Sequence, residues 1–248
     1  VIVLLPPSET KRAGGDGPPL DLDKLSWPEL GTVRGKLVEE LVELAADPQV
    51  CRRALSISPA QDTEIERNAA LRTAPTLAAL HRYTGVLYDA LDIESLRGPA
   101  AARARARLAV GSALFGLLRA EDRIPAYRLS AGSKLPGRPA LPSRWRPLLE
   151  PLLADLATGE LVVDLRSGAY VGLGRLADAV RVDVVAEQPD GRRTTVSHFN
   201  KAHKGRLARA LASATSEPDD AAGVAAVARR AGMRVEREGS HLTIVVTP

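Results

Sequence analysis

The chain has 248 residues, 45% hydrophobic and 26% charged, and a mean hydropathy of −0.08, which excludes a disordered tail and a membrane bundle. Its net charge of +4 is unevenly placed: residues 1–100 carry −4, residues 101–209 carry +9 and residues 210–248 carry −1. The pI of 9.4 therefore flags nucleic-acid binding only for that middle segment.

Val1 to Leu5 are apolar and stop at Pro6-Pro7, too short for a signal peptide or a bilayer span, and they read as a buried strand. The Gly- and Pro-rich loop from Pro6 to Pro19 carries Ser8, Glu9, Thr10, Lys11 and Arg12 at its near end, the position where open α/β sheets place ligands. Glu29 to Ala46 predicts an amphipathic helix with Val33, Leu37, Leu41, Val42 and Ala45 on one stripe, closed by Asp47-Pro48. The single cysteine, Cys51, excludes an intrachain disulfide and suits a reducing cytoplasm. Arg52 and Arg53 beside it would favour a thiolate, but a lone cysteine reads first as an inert small residue.

Further helices are expected from Thr63 and from Pro75, followed by a mixed stretch, His81 to Leu91, with Tyr83, Gly85 and Tyr88. Between Ala100 and Leu118, alanine's helix preference puts Arg103 and Arg107 one turn apart on a helix, before a short apolar strand ending near Phe115. Trp145 to Leu156 predicts a helix with Pro147 in its opening turn and a break or kink at Pro151. Leu161 to Leu165 reads as a buried strand. Arg181 to Ala186 is another, turned back at Pro189-Asp190-Gly191 into Thr194 to Phe199. Helices follow at Ala202 to Ala212 and Ala221 to Ala231, then a hairpin of Met233 to Arg237 and Leu242 to Val246. The expectation is one compact mixed α/β domain over residues 1–248, with a central sheet, antiparallel hairpins near 181–199 and 233–246, and helices packed around it. A split near Pro139 to Pro142 is the alternative organisation.

Gly172-Leu173-Gly174-Arg175-Leu176-Ala177 matches the dinucleotide fingerprint G-x-G-x-x-A, but the next strand starts at Arg181. About six residues cannot hold a crossover that needs a dozen, so the fold is not a Rossmann fold. Val171 to Gly174 also resembles the hairpin of a helix-hairpin-helix, which grips a phosphate through backbone amides; that motif needs a helix in front, where Leu161 to Leu165 reads as strand. No G-x-S-x-G elbow and no G-x-x-x-x-G-K-[ST] loop is present. His198 and His203 are the closest histidine pair and lack a neighbouring cysteine or carboxylate, so no metal or other cofactor is expected. Trp145 between Arg144 and Arg146 is a lone aromatic among cations, and 3% aromatic content leaves few bases for a stacking platform. What remains is a basic set: Arg119, Arg123, Arg128 and Lys134 in one loop-rich stretch, and Lys201, Lys204, Arg206 and Arg209 at the start of a helix. A solvated cationic face is the plain reading of such a set, and phosphate docking the functional one.

Three runs make the chain similar to a known family. Leu4-Leu5-Pro6-Pro7-Ser8-Glu9-Thr10-Lys11, Ser112 to Arg119 with Asp122 and Tyr127-Arg128-Leu129, and Phe199 to Gly205 with Arg209 resemble the YaaA family of peroxide-stress proteins; Gly85, Tyr88, Trp145, Ser167 and Tyr170 fall in the same order. The resemblance implies a compact mixed α/β domain in the cytoplasm, induced by hydrogen peroxide and limiting free iron and the oxidative DNA damage it causes. It further implies binding of duplex or branched DNA through a basic cleft and a helix-hairpin-helix-like element, with no established reaction. Glu9 stands here where the enterobacterial branch has lysine, with Lys11 two residues on; Ala120 replaces a proline and Ala169 an acidic residue.

Two functional readings follow. In the first, DNA phosphates dock on Lys11, Arg119, Arg123, Arg128, Lys134, Lys201, Lys204, Arg206 and Arg209 of a monomer with no membrane partner. In the second, the chain is an enzyme acting on a small anionic or phosphorylated substrate, in a pocket built from the first loop and residues 112–134. Glu9, Ser112, Asp122, Tyr127, Arg128, Asp164 and Ser167 are then its polar groups. Arg128 clamps the anion, and Glu9 or Asp164 serves as general base. Direct iron sequestration has no cysteine or carboxylate cluster behind it.

Overall fold

The opening apolar run forms β1 (Ile2–Leu5), with all four side chains buried; a strand apolar on both faces needs cover on both, which the middle of a parallel sheet supplies. A computed structural model describes residues 1–194 and 197–247, with Ser197, His198 and Phe199 described by backbone alone. After a long loop, α1 (Gly31–Leu44) buries Leu37 and Leu41 of the predicted stripe, with Val33 and Val42 half-buried, and adds Val38 and Arg34 to the buried face. Asp47 caps α2 (Pro48–Leu55), its carboxylate accepting from the Gln49 and Val50 amides. Burial in α2 pushes the Cys51 thiol up, the opposite of activation by Arg52 and Arg53.

Thr63 does open a helix, α3 (Thr63–Ala69). The helix expected from Pro75 does not form: the chain enters β2 (Leu77–Ala78), α4 (Ala79–Arg82) and α5 (Val86–Leu91). Thr76 bridges to Gly17 and β2 pairs with a later strand, so tertiary pairing overrides local preference. α6 (Gly98–Arg107) and β3 (Leu108–Ser112) confirm a helix followed by a strand, but the strand ends before Phe115. Gly116 is the reason: at φ 73° it starts β4 (Gly116–Arg119), which folds back antiparallel on β3, and a Cβ there would stand 2.7 Å from the Trp145 ring.

β5 (Arg123–Ile124) is the partner of β2. α7 (Leu141–Gly159) begins earlier than expected and holds both Pro147 and Pro151 inside it. Both prolines, and Ser143 one turn before them, lie on the exposed face, where carbonyls left without an amide partner meet water. β6 (Val162–Asp164), α8 (Gly168–Val171) and β7 (Val180–Glu187) follow. The predicted return strand Thr194 to Phe199 is corrected: β8 (Arg193–Thr194) pairs only with Ala186 and Glu187, Thr195 and Val196 lie outside the described residues, and Ser197 already begins α9 (Ser197–Ser213). β6 pairs with only the first two residues of β7, which leaves the far end of β7 open for so short a partner. α10 (Ala221–Arg230) and the hairpin of β9 (Arg234–Glu238) and β10 (His241–Val246) close the chain as expected.

The strand order is β4-β3-β1-β6-β7-β10-β9, parallel from β3 through β10. Strands from both sides of Pro139 to Pro142 share this sheet and one core, so the single mixed α/β domain stands and the split does not. The chain leaves β1 for β3 on one side and later crosses to β6 on the other. The carboxyl end of β1 is thus a topological switch point, where open sheets leave a crevice. α9 spans the sheet from the carboxyl end of β7 to the start of β3, where Arg107 donates to Leu211 and Ala214. Its Gly205 lies against α5, and a Cβ would come within 2.2 Å of the Leu87 carbonyl oxygen. Gly205→Ala is expected to destabilise the fold by about 2–3 kcal/mol, read as a lower denaturant midpoint at unchanged slope.

Candidate functional site

At the switch point the first loop folds over the end of β1. Lys11 forms an antiparallel bridge with Tyr83, which turns its side chain inward until the residue is 7% exposed. Its Nζ donates to the Ser8 carbonyl at 3.0 Å and the Glu9 carbonyl at 3.3 Å, and stands 4.2 Å from the centre of the Tyr127 ring. The Tyr127 hydroxyl sits between the Ser112 hydroxyl at 2.7 Å and the Tyr83 hydroxyl at 2.8 Å, a buried hydroxyl string anchored by the Phe115 amide donating to Ser112 Oγ. Tyr88 stacks on Tyr83 and donates to the Pro6 carbonyl. Thr84 holds the loop from outside, its amide donating to Ser8 Oγ and its hydroxyl to Thr10 Oγ1.

Burial dominates the electrostatics here. It lowers Lys11 to about 7, against the raising influence of Glu64 and Glu9, while Arg128 and Arg67 lower it further. The same burial pushes Tyr83, Tyr88 and Tyr127 up and holds Tyr170 at about 12, so all four hydroxyls stay protonated at neutral pH. Arg128 is fixed by a two-way amide clasp with Asn68 at 2.8 and 2.9 Å, and its Nη2 donates to the exposed Glu9 at 3.0 Å. Two buried polar atoms of this cluster, Arg128 Nε and Glu64 Oε2, have no hydrogen-bond partner among the described residues.

Of the residues proposed from sequence, the fold brings Glu9, Lys11, Ser112, Tyr127 and Arg128 together and leaves the others elsewhere. Asp122 accepts from the Ser26 amide and hydroxyl and from the Arg119 amide, which fixes a turn. Asp164 is held bidentately by Arg166 at 2.9 and 2.7 Å, so it is not placed as a base. Ser167 is exposed at the start of α8. Lys204 is buried and donates to the Leu165 carbonyl, and burial lowers its pKa; it pins α9 to the sheet rather than facing solvent.

The remaining cations also divide. Arg119 lies at the amino end of β3, stacked 5.0 Å from Trp27 and donating to Ala106. Arg123 is paired with Asp16 at 2.7 Å. Arg209 donates to the Leu91 and Asp92 carbonyls and Ser95, tying down the end of α5. Lys134, Lys201 and Arg206 are exposed. Lys201 is in the opening turns of α9, Arg206 lines a hollow at the carboxyl end of β10, and Lys134 follows Ala131, a backbone partner of Tyr170. These three share the carboxyl side of the sheet with Lys11 and Arg128.

Sequence reasoning missed Glu64, Arg67, Asn68 and the role of Tyr83. For the three residues of α3 the only sequence signal was a polar helix face, because the Asn68–Arg128 clasp spans 60 residues. Val171 to Gly174 runs from the end of α8 into a turn, and the Gly174 carbonyl accepts from Arg166. His203 is lowered by burial, the His198 side chain lies outside the described residues, and among the described residues no three His, Cys, Asp or Glu side chains form a metal set. Nor, among them, is any helix long and apolar enough to cross a membrane.

Comparison with known proteins adds the following. The chain is 49% identical over 253 residues to a UPF0246 protein of Corynebacterium efficiens, covering 99% of this chain and 100% of the relative. A UPF0246 protein of Streptomyces coelicolor is 43% identical over 243 residues, with 96% and 93% covered. An uncharacterized protein of Campylobacter jejuni is 26% identical over 206 residues, with 83% and 82% covered. The family described as peroxide stress protein YaaA matches residues 1–236, every strand before β10 at least in part and every residue of the cluster around Lys11, and the chain belongs to that family.

Proposed function

We propose that this chain is a cytoplasmic peroxide-stress protein that binds DNA by its phosphates along the carboxyl side of its sheet and thereby limits iron-driven oxidative damage. The observation that carries this reading is the sorting of its cations. Lys134, Lys201 and Arg206 are exposed on that side, while Arg119, Arg123 and Arg209 are engaged with intramolecular partners. Each phosphate contact releases counterions, so the logarithm of affinity falls with that of salt by about 0.9 per contact. Replacing Lys134, Lys201 and Arg206 together by alanine should lower duplex affinity and reduce the slope by roughly 2–3. Arg119→Ala and Arg209→Ala should leave the slope unchanged. An affinity indifferent to the triple replacement would remove the DNA reading.

A second reading, an enzyme acting on a small anion, is favoured by the unpartnered Arg128 Nε and Glu64 Oε2. Buried polar atoms without partners are rare in native folds and mark places where a ligand atom completes the network.

A further inference from the structure

We propose that the hollow between α9 and the end of the β9–β10 hairpin binds a medium-chain alkyl carboxylate, with the carboxylate on Arg206 and the chain over Met233, Val245 and Val246. The site lies apart from the cluster around Lys11 and does not depend on the DNA reading, although it uses one of the cations exposed on that side of the sheet.

The hollow is a consequence of the sheet's register. The β9–β10 ladder reaches its last pair at Arg234 and Val245, so no residue of β9 pairs with Val246, which keeps only its parallel neighbour Ala186 on β7. The chain before Arg234 is not strand either: Gly232, at φ 80°, turns it out of α10 toward β9. With α9 passing on the other side, this leaves a space of about 390 Å³ bounded by His203, Arg206, Met233, Arg234 and the last residues of β10. That is enough room for a small organic ligand.

The lining selects the ligand. Met233 and Val245 are buried and Val246 is half-buried, so the floor is hydrocarbon and thioether. Among the described residues, neither a carboxylate nor an aromatic ring lines the hollow. Its three basic side chains differ in what they have left to give. Arg234 is matched by Glu187 and Glu236. His203 is held below its usual value by burial and then by the charge of Arg206, so it stays largely neutral at neutral pH. Arg206 is exposed, and its guanidinium has no ion-pair partner among the described residues. One unmatched positive charge beside an apolar floor fits one carboxylate carrying a hydrocarbon body. A phosphate chain would bring several charges to a single cation, and an aromatic acid would find no ring to stack on. The arginine fork meets both carboxylate oxygens, while each buried methylene strengthens binding about fourfold.

The test is a titration of the full chain with octanoate, followed at the methyl resonance of Met233, the chain's single methionine. A saturable shift is expected. Hexanoate, two methylenes shorter, should bind about fifteenfold more weakly. Octanamide, the uncharged isostere, and Arg206→Ala should each weaken binding about tenfold, and Arg206→Lys should recover only part of that loss. Arg206→Ala removes an exposed side chain and should melt at the wild-type temperature. A shift that does not saturate, equal affinities for hexanoate and octanoate, or an affinity indifferent to Arg206→Ala overturns the proposal. Inorganic triphosphate that moves the Met233 signal at lower concentration than octanoate makes the hollow a phosphate site and overturns it too. Duplex affinity separates this inference from the DNA reading. Octanoate bound by a chain that does not bind DNA leaves the site standing, and duplex binding without any response of Met233 to octanoate sinks the site alone.

Discussion

Arg34→Ala is expected to remove about 3–5 kcal/mol of folding free energy, measured by denaturant unfolding at unchanged slope. The Arg34 side chain is fully buried in α1 and donates from Nε to the Phe115 carbonyl at 2.9 Å, from Nη1 to Trp27 at 3.2 Å and from Nη2 to Leu117 at 2.8 Å. Burial brings its pKa down to about 10, with Asp122 and Glu29 opposing, so the group stays charged at neutral pH. Alanine would take the Arg34 donors from the Phe115 and Leu117 carbonyls beside a cavity, each with the penalty of a desolvated acceptor, while Trp27 keeps the Leu30 amide. Lysine keeps the charge but not the planar fork that reaches three diverging oxygens, and should recover less than half of the loss. A loss under about 1 kcal/mol would mean that water reaches those carbonyls.

Lys11→Met is expected to change how stability depends on pH. Lys11 titrates at about 7 in the fold and near 10.5 when exposed. Between those values the unfolded chain binds the extra proton, so the wild-type chain gains stability from this residue as pH rises from 7 to 10.5. Below about 7 both states are protonated and the penalty is at its full size, on the order of 5 kcal/mol. The methionine variant lacks that dependence, apart from a constant offset for the two lost hydrogen bonds to Ser8 and Glu9. The difference in unfolding free energy, wild type minus variant, should therefore climb from neutral to alkaline pH. A flat difference across that window would show that Lys11 keeps its proton through the face of Tyr127.

The elements legible in sequence were those whose own pattern decides them. β1, α1, α10 and the β9–β10 hairpin follow from apolar runs, helical stripes and turn residues. β4 was hidden because Ala113 to Leu118 carries no polar side chain, and only the Trp145 ring from α7, far along the chain, explains why Gly116 turns there. For the site, the first loop was legible because polar residues follow a buried strand. The basic residues were not: Lys201 and Lys204 are a turn apart, yet one faces water and the other donates into the sheet. Charge counts along a chain carry no information on which cation a helix turns inward. That depends on a carbonyl, Leu165, just past the end of β6 on another part of the chain.

All four tyrosines of the chain stand in one cluster: Tyr83 packs against both Tyr88 and Tyr127, and Tyr170 is near enough to influence the ionisation of all three. Any probe selective for tyrosine is therefore a probe of this site alone. Isotope-labelled tyrosine resonances, or the ultraviolet difference spectrum of phenol, would report ligand entry and the protonation of Lys11 without background from the rest of the molecule.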